Sequence, residues 1–101
     1  CHGEFYRYTQ WHNLAIETVK TLNISTHTVH YEDYNDKWEQ TLSDLLGFLE
    51  LEISTPDAAQ TFVPGKEYSE YYTSKQRNII QKLIKKVSTN ETWQMLKQYF
   101  P

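Results

Sequence analysis

Cysteine is almost missing from this sequence: Cys1 is the single one in 101 residues. One thiol cannot close an internal disulfide, so the fold is not a disulfide scaffold. Glycine and proline are also scarce, at three each. That excludes collagen-like and low-complexity chains, and it leaves no glycine-rich loop followed by a helix, the usual cradle for a phosphate chain. Long apolar runs are absent too, and none approaches the roughly 20 residues that a transmembrane helix needs. The first residues are polar and aromatic rather than a charged region followed by an apolar one, so no signal peptide is read.

What is present points to a folded domain. Hydrophobic residues make up 39% and charged residues 23%, which excludes an intrinsically disordered tail. The length suits one domain and is too short for two. The net charge of −3 is unevenly spread. Residues 1 to 65 carry three Lys/Arg against ten Asp/Glu, while residues 66 to 101 carry seven against three. The basic end offers local attraction for an anionic ligand, but nothing in it favours nucleic acid as the main partner. Two N-glycosylation sequons, Asn23-Ile24-Ser25 and Asn90-Glu91-Thr92, favour a lumenal compartment such as the Golgi over the cytoplasm without fixing it.

Periodicity organises the chain. Tyr8, Trp11, Ala15 and Leu22, widened by Leu14 and Val19, form the apolar stripe of a helix over 4–22. Asn23 suits the left-handed residue that ends it. Thr26 to Tyr31, rich in Thr, Val, Tyr and His, reads as a β-strand, and the acidic turn Glu32-Asp33-Tyr34-Asn35 breaks it. Asp36 and Glu39 have the spacing of a capping box for a second helix, with Trp38, Leu42, Leu45, Leu46 and Leu49 on one face. A connection over 52–65 is punctuated by Pro56 and Pro64-Gly65. Thr73 and Gln76 open a third helix with Ile79, Ile80, Leu83, Ile84 and Val87 on one side and solvated Lys82, Lys85 and Lys86 on the other. Ser88 and Glu91 offer a last box before a short helix carrying Trp93, Met95, Leu96 and Tyr99.

Four helices and one strand make an incomplete inventory, because a lone strand leaves its backbone N–H and C=O groups without partners. The expectation is therefore an α/β fold whose other strands lie outside these residues, so that the chain is a fragment. Metal binding is not expected. His27 and His30 would fall on opposite faces of a strand, and His30 with Glu32 supplies too few ligands for a structural zinc site.

Several short motifs occur in series: Phe5-Tyr6-Arg7-Tyr8-Thr9-Gln10-Trp11-His12, then Val29-His30-Tyr31-Glu32-Asp33-Tyr34, then Leu45 to Leu49. They are followed by Phe62-Val63-Pro64-Gly65-Lys66, Tyr71-Tyr72-Thr73, and Thr92 through Phe100. In this order they resemble the carboxyl-terminal part of the sulfotransferases that use 3′-phosphoadenosine 5′-phosphosulfate (PAPS), nearer the carbohydrate and algal branches than the small-molecule ones. The resemblance implies that 1–101 is the carboxyl-terminal part of a single P-loop-type, three-layer α/β sulfotransferase domain. The missing amino-terminal half would bring the phosphate loop and the catalytic base. It implies transfer of a sulfuryl group from PAPS to a hydroxyl acceptor, plausibly on a carbohydrate, with adenosine 3′,5′-bisphosphate as the nucleotide product. No catalytic residue falls in this piece, which alone should be inactive. By the same resemblance Tyr31 lies at the adenine, and Gly65 and Lys66 are the nearest matches to the loop that holds the 3′-phosphate. The family's Arg-Lys-Gly order reads Pro-Gly-Lys here. Arg77 could reach the same phosphate, although a surface role suits it better. The alternative is a non-enzymatic helical module that binds a protein through Tyr68, Tyr71, Tyr72, Tyr99 and Phe100.

Overall fold

The computed structural model describes residues 2–52 and 68–101. In chain order the helices are α1 (His2–Thr21), α2 (Asp33–Asp36), α3 (Trp38–Phe48), α4 (Ser74–Val87) and α5 (Asn90–Leu96). Single 3₁₀ turns, Tyr68–Tyr71 and Lys97–Tyr99, precede α4 and follow α5. The chain divides into two compact units, one formed by Cys1–Ser25 with Glu67–Pro101 and the other by Thr26–Lys66.

The first unit packs α1 against both α4 and α5. Helix α4 starts where its sequence says it should. The Thr73 hydroxyl accepts from the Gln76 N–H at 3.3 Å, and Gln76 Oε1 accepts from the Thr73 N–H at 2.8 Å. Two backbone donors that the helix cannot satisfy are thereby paired. The link from α4 to α5 is two residues long, and its chemistry is shifted by one from the expected box. Ser88 turns its hydroxyl back to donate to the Ile84 carbonyl at 2.6 Å, and Thr89 is the residue that caps α5, accepting from the Thr92 N–H at 3.3 Å.

Asn13 locks α1 onto that link. Its Nδ2 donates to the Val87 carbonyl at 2.8 Å and its Oδ1 accepts from the Thr89 N–H at 2.9 Å. One amide thus satisfies a carbonyl at the end of α4 and an amide at the start of α5. Around it the core, among the described residues, is small and half polar. Ile84 and Leu96 are the buried apolar residues, while Thr9 and Thr92 are fully covered. Thr9 donates to the Phe5 carbonyl at 2.8 Å, and Thr92 Oγ1 accepts from the Thr89 hydroxyl at 3.0 Å. No buried side-chain polar atom among the described residues lacks a partner, as burial of polar groups requires.

The face of α1 that packs is not the one its periodicity favours. Phe5, Thr9, Asn13, Ile16 and Lys20 lie along the docked side. Trp11 (66%) and Leu14 (68%), expected in the core stripe, are among the most exposed apolar residues. Helix α1 is apolar on more than one side, so hydrophobic spacing alone does not choose. The polar clamp at Asn13 does.

The second unit contains α2 and α3. Asp36 does not cap α3. Residues 33–36 wind as a helical turn, with the Lys37 N–H donating to the Asp33 carbonyl at 2.8 Å, so Asp36 lacks the extended backbone a cap needs. Lys37 stands at the N-cap of α3 without a side-chain cap bond. The ends of α1 and α3 share one device, the Schellman motif. Asn23 and Glu50 both take positive φ, 52° and 56°. Behind them Ile24 N–H donates to Val19 O and Leu51 N–H to Leu46 O, each at 2.9 Å.

The α/β fold class is overturned. The described residues hold helices and 3₁₀ turns and no strand. Residues 24–30, which include most of the expected strand, are irregular, and His30 and Tyr31 lead into the helical turn of α2 through Asp33 N–H to His30 O at 3.0 Å. The physical reason is pairing. β-branched and aromatic residues favour an extended backbone, but a strand forms only where a neighbour completes its ladder. No such neighbour exists among the described residues, so the three-layer sheet is not built.

Candidate functional site

Of the three residues expected at the nucleotide, the described residues include only Tyr31. Tyr31 is 60% exposed in the turn before α2, with no sheet edge beside it. Gly65 and Lys66 lie outside the described residues. An open α/β sheet binds ligands in the crevice beyond its strand ends. Without strands, the described residues form no crevice of that kind. His27 stacks on Phe48 at 5.3 Å between ring centroids. No group of three or more His, Cys, Asp or Glu side chains gathers among the described residues to hold a metal ion. No helix among them is long and apolar enough to cross a membrane.

A different arrangement emerges in the first unit, where three stretches far apart in sequence meet. Helix α1 contributes Phe5 near its start. The segment entering α4 contributes Tyr72, and the first turns of α4 contribute Ser74, Arg77, Asn78, Ile80 and Gln81. The carboxyl-terminal residues contribute Tyr99, Phe100 and Pro101. Together they line a groove of about 720 Å³.

The aromatic walls are held by ring contacts. Phe5 meets Tyr72 edge-on, with centroids 6.0 Å apart and planes at 67°. Phe100 stacks on Trp93 at 6.1 Å and 20°, and the Lys85 ammonium sits 5.7 Å from the Trp93 ring. Such contacts stiffen the rings beyond what burial alone would do. The polar side of the groove comes from α4. Arg77 donates to the Ser74 hydroxyl at 3.3 Å, which ties the guanidinium to the first turn. The capping box at Thr73 fixes where α4 begins, and through it the position of Tyr72 relative to Arg77. A smaller cavity of about 100 Å³ adjoins, sharing Phe5, Tyr72 and Ile80 and adding His2, Gln76 and Ile79.

Of the five aromatic residues read as a binding surface, the structure brings Tyr72, Tyr99 and Phe100 to one groove. Tyr71 is 64% exposed and does not line it, and the Tyr68 side chain lies outside the described residues. Phe5, Asn78, Gln81 and the groove-facing role of Arg77 escaped the sequence reading. Phe5 lies on the docked side of α1, opposite the stripe that periodicity selects. Comparison with protein-family models, with curated proteins and with solved structures finds no match to this chain.

Proposed function

We propose that this chain is a helical binding module that takes a short segment of a protein partner into the aromatic groove of its first unit. One observation carries the reading: Phe5, Tyr72, Tyr99 and Phe100 converge from three stretches of chain on one groove whose other side offers Ser74, Arg77, Asn78 and Gln81. Rigid rings provide contact area at low entropic cost, and a few polar groups fix orientation, which is the usual composition of a recognition site. The described side chains of the lining include no carboxylate, imidazole or thiol; its titratable side chains are Tyr72, Tyr99 and Arg77.

A random peptide library displayed against the protein tests this directly. Enriched peptides should move the amide resonances of Tyr72, Arg77, Gln81 and Phe100, and Phe100→Ala should weaken them about tenfold or more, as truncation of an aromatic anchor does. Enrichment that survives a Tyr72→Ala, Phe100→Ala pair unchanged would defeat the reading. The alternative of sulfuryl transfer from PAPS to a hydroxyl acceptor now has the sequence resemblance as its support. Adenosine 3′,5′-bisphosphate discriminates: a rise in melting temperature that Tyr31→Ala abolishes would favour the nucleotide reading over the groove.

A further inference from the structure

Helix α4 carries Lys75, Arg77, Lys82, Lys85 and Lys86 and no acidic residue over its fourteen positions. Elsewhere, two lysines find carboxylates. Lys20 pairs with Glu91 at 2.9 Å, and Lys37 approaches Asp33 at 3.9 Å. Among the described residues Lys75, Lys82, Lys85 and Lys86 form no ion pair. Glu91, the acidic residue nearest the end of α4, is held by Lys20, whose ammonium lowers the Glu91 carboxyl through their hydrogen bond.

Three of these lysines share one line. Lys75, Ile79, Lys82 and Lys86 are spaced four, three and four residues apart, which places them along a single stripe of the helix. The stripe extends about 16 Å at 1.5 Å per residue. It lies on the side opposite Ile84, which is buried, and Ile79 at its centre is 44% exposed. Charges flanking a single exposed apolar residue form a small, directional surface rather than a diffuse basic coat.

We infer that this outward stripe of α4 is a second contact surface, which receives an acidic helical segment of a protein partner. The occupant follows from charge and shape. Carboxylates repeated at helical spacing on a partner helix meet Lys75, Lys82 and Lys86 in register, and an apolar side chain between them covers Ile79. A bilayer surface fits less well. Apart from Ile79, the apolar residues of α4 are covered or partly covered, so a single side chain remains on the lysine side to enter the headgroup region. A nucleic acid fits less well too. The chain as a whole is negative at −3, and an extended polyanion would meet that repulsion beyond the stripe, whereas a short segment would not.

Lys75, Lys82 and Lys86 do not line the aromatic groove, while Ile79 lines the smaller cavity beside it, so substitutions confined to the lysines test this surface without altering the groove. The probe is a fluorescein-labelled helical peptide with glutamates at the lysine spacing and a central leucine, titrated onto the protein at low and at physiological salt. Binding should saturate, weaken several-fold with added salt, and fall about tenfold in Lys75→Gln, Lys82→Gln, Lys86→Gln combined, given the small worth of each exposed pair. Phe100→Ala should leave it unchanged. Glutamine keeps the helix propensity of lysine, and protection of the Thr89 amide, held by Asn13, reports that the triple variant is folded. The inference is overturned by absence of binding at low salt. It is equally overturned if the folded triple variant binds normally, or if single-stranded DNA or phosphatidylserine vesicles use these lysines more tightly than the peptide does.

Discussion

Hydrogen bonds in the first unit join residues very far apart in sequence. Asn13 reaches Val87 and Thr89, 74 and 76 positions away, and Lys20 reaches Glu91 across 71. Among the described residues of the second unit, Thr41 reaches Asp33 across eight positions at 3.3 Å and Gln40 reaches Asp44 across four at 2.6 Å. Burial follows the same division. Thr9, Ile84, Thr92 and Leu96 are buried in the first unit, whereas no residue over 26–52 is. Closing a long loop costs entropy before any contact forms, so the first unit exists only because its packing and its clamps offset that cost. The described part of the second unit, residues 26–52, buries no residue, and few buried contacts make local opening easier there. A binding groove therefore belongs to the first unit, where three distant stretches are held in fixed positions.

The strongest way to break this difference is to remove the clamp. Asn13→Ala deletes two hydrogen bonds to backbone groups at the α4–α5 link and should destabilise the first unit by about 2 kcal/mol. Amide exchange read residue by residue gives the outcome. Protection should fall across α1, α4 and α5 and stay unchanged in α3. A variant that loses protection equally in both units would mean that they unfold together.

The same contrast decides what could be read from the sequence. Local chemistry was legible: the Thr73–Gln76 box and the left-handed Asn23 stand where their residue types place them, and α1 and α4 occupy the expected stretches. Each of these depends on neighbours within a few positions. The strand was misread because β-propensity reports a preference that only a paired neighbour can realise. The box at Asp36 was misread because the acidic turn before it continued as helix, which removed the extended residue a cap requires. The Asn13 clamp was invisible, since no spacing rule connects a side chain in α1 to a link more than seventy residues later. A faint trace of it existed in Thr9 and Asn13, polar residues four apart on the helix side that also carries Phe5 and Ile16. Part of the groove was legible for a simple reason: Tyr72, Tyr99 and Phe100 are large aromatic residues at positions where no helix stripe could absorb them all. Its polar side was not, because Arg77 looks like any other charged residue of a basic helix.

A smaller effect sharpens the comparison at the two helix ends built alike. At positive φ both residues crowd a Cβ against the backbone, but the short amide of Asn offsets this by local hydrogen bonding, which the longer Glu side chain does less well. Glu50→Gly should therefore stabilise the second unit by about 1 kcal/mol. Asn23→Gly should change the first by only a few tenths of a kcal/mol. Thermal melts monitored by the exchange of Leu51 and Ile24 amides, which close the two motifs, check both. An equal gain at the two sites would show that strain at Glu50 is not what weakens α3.

The smallest expected effect concerns pH. His12 is half-buried in the first unit, with its ring edge-on to Tyr8 at 4.5 Å and to Trp11 at 4.9 Å. Burial disfavours the imidazolium and lowers its pKa below the ordinary 6.5. The neutral ring is thus what the folded state prefers. Its contribution is complete above about 6.5 and is lost as the pH falls through the lowered folded value. Acidification from neutrality should weaken protection of the α1 amides in that window, while His12→Gln should show a flatter response whatever its stability at neutral pH. The Lys20–Glu91 pair does not confuse the measurement. Its hydrogen bond lowers the Glu91 carboxyl below 4.5, so what it contributes is lost only in more acid solution. Both of its side chains are also more than half exposed, which makes that loss slight. If the His12→Gln protein keeps the full slope between neutrality and pH 5, the ring is not the group that titrates, and the acid sensitivity of the first unit must come from elsewhere on α1.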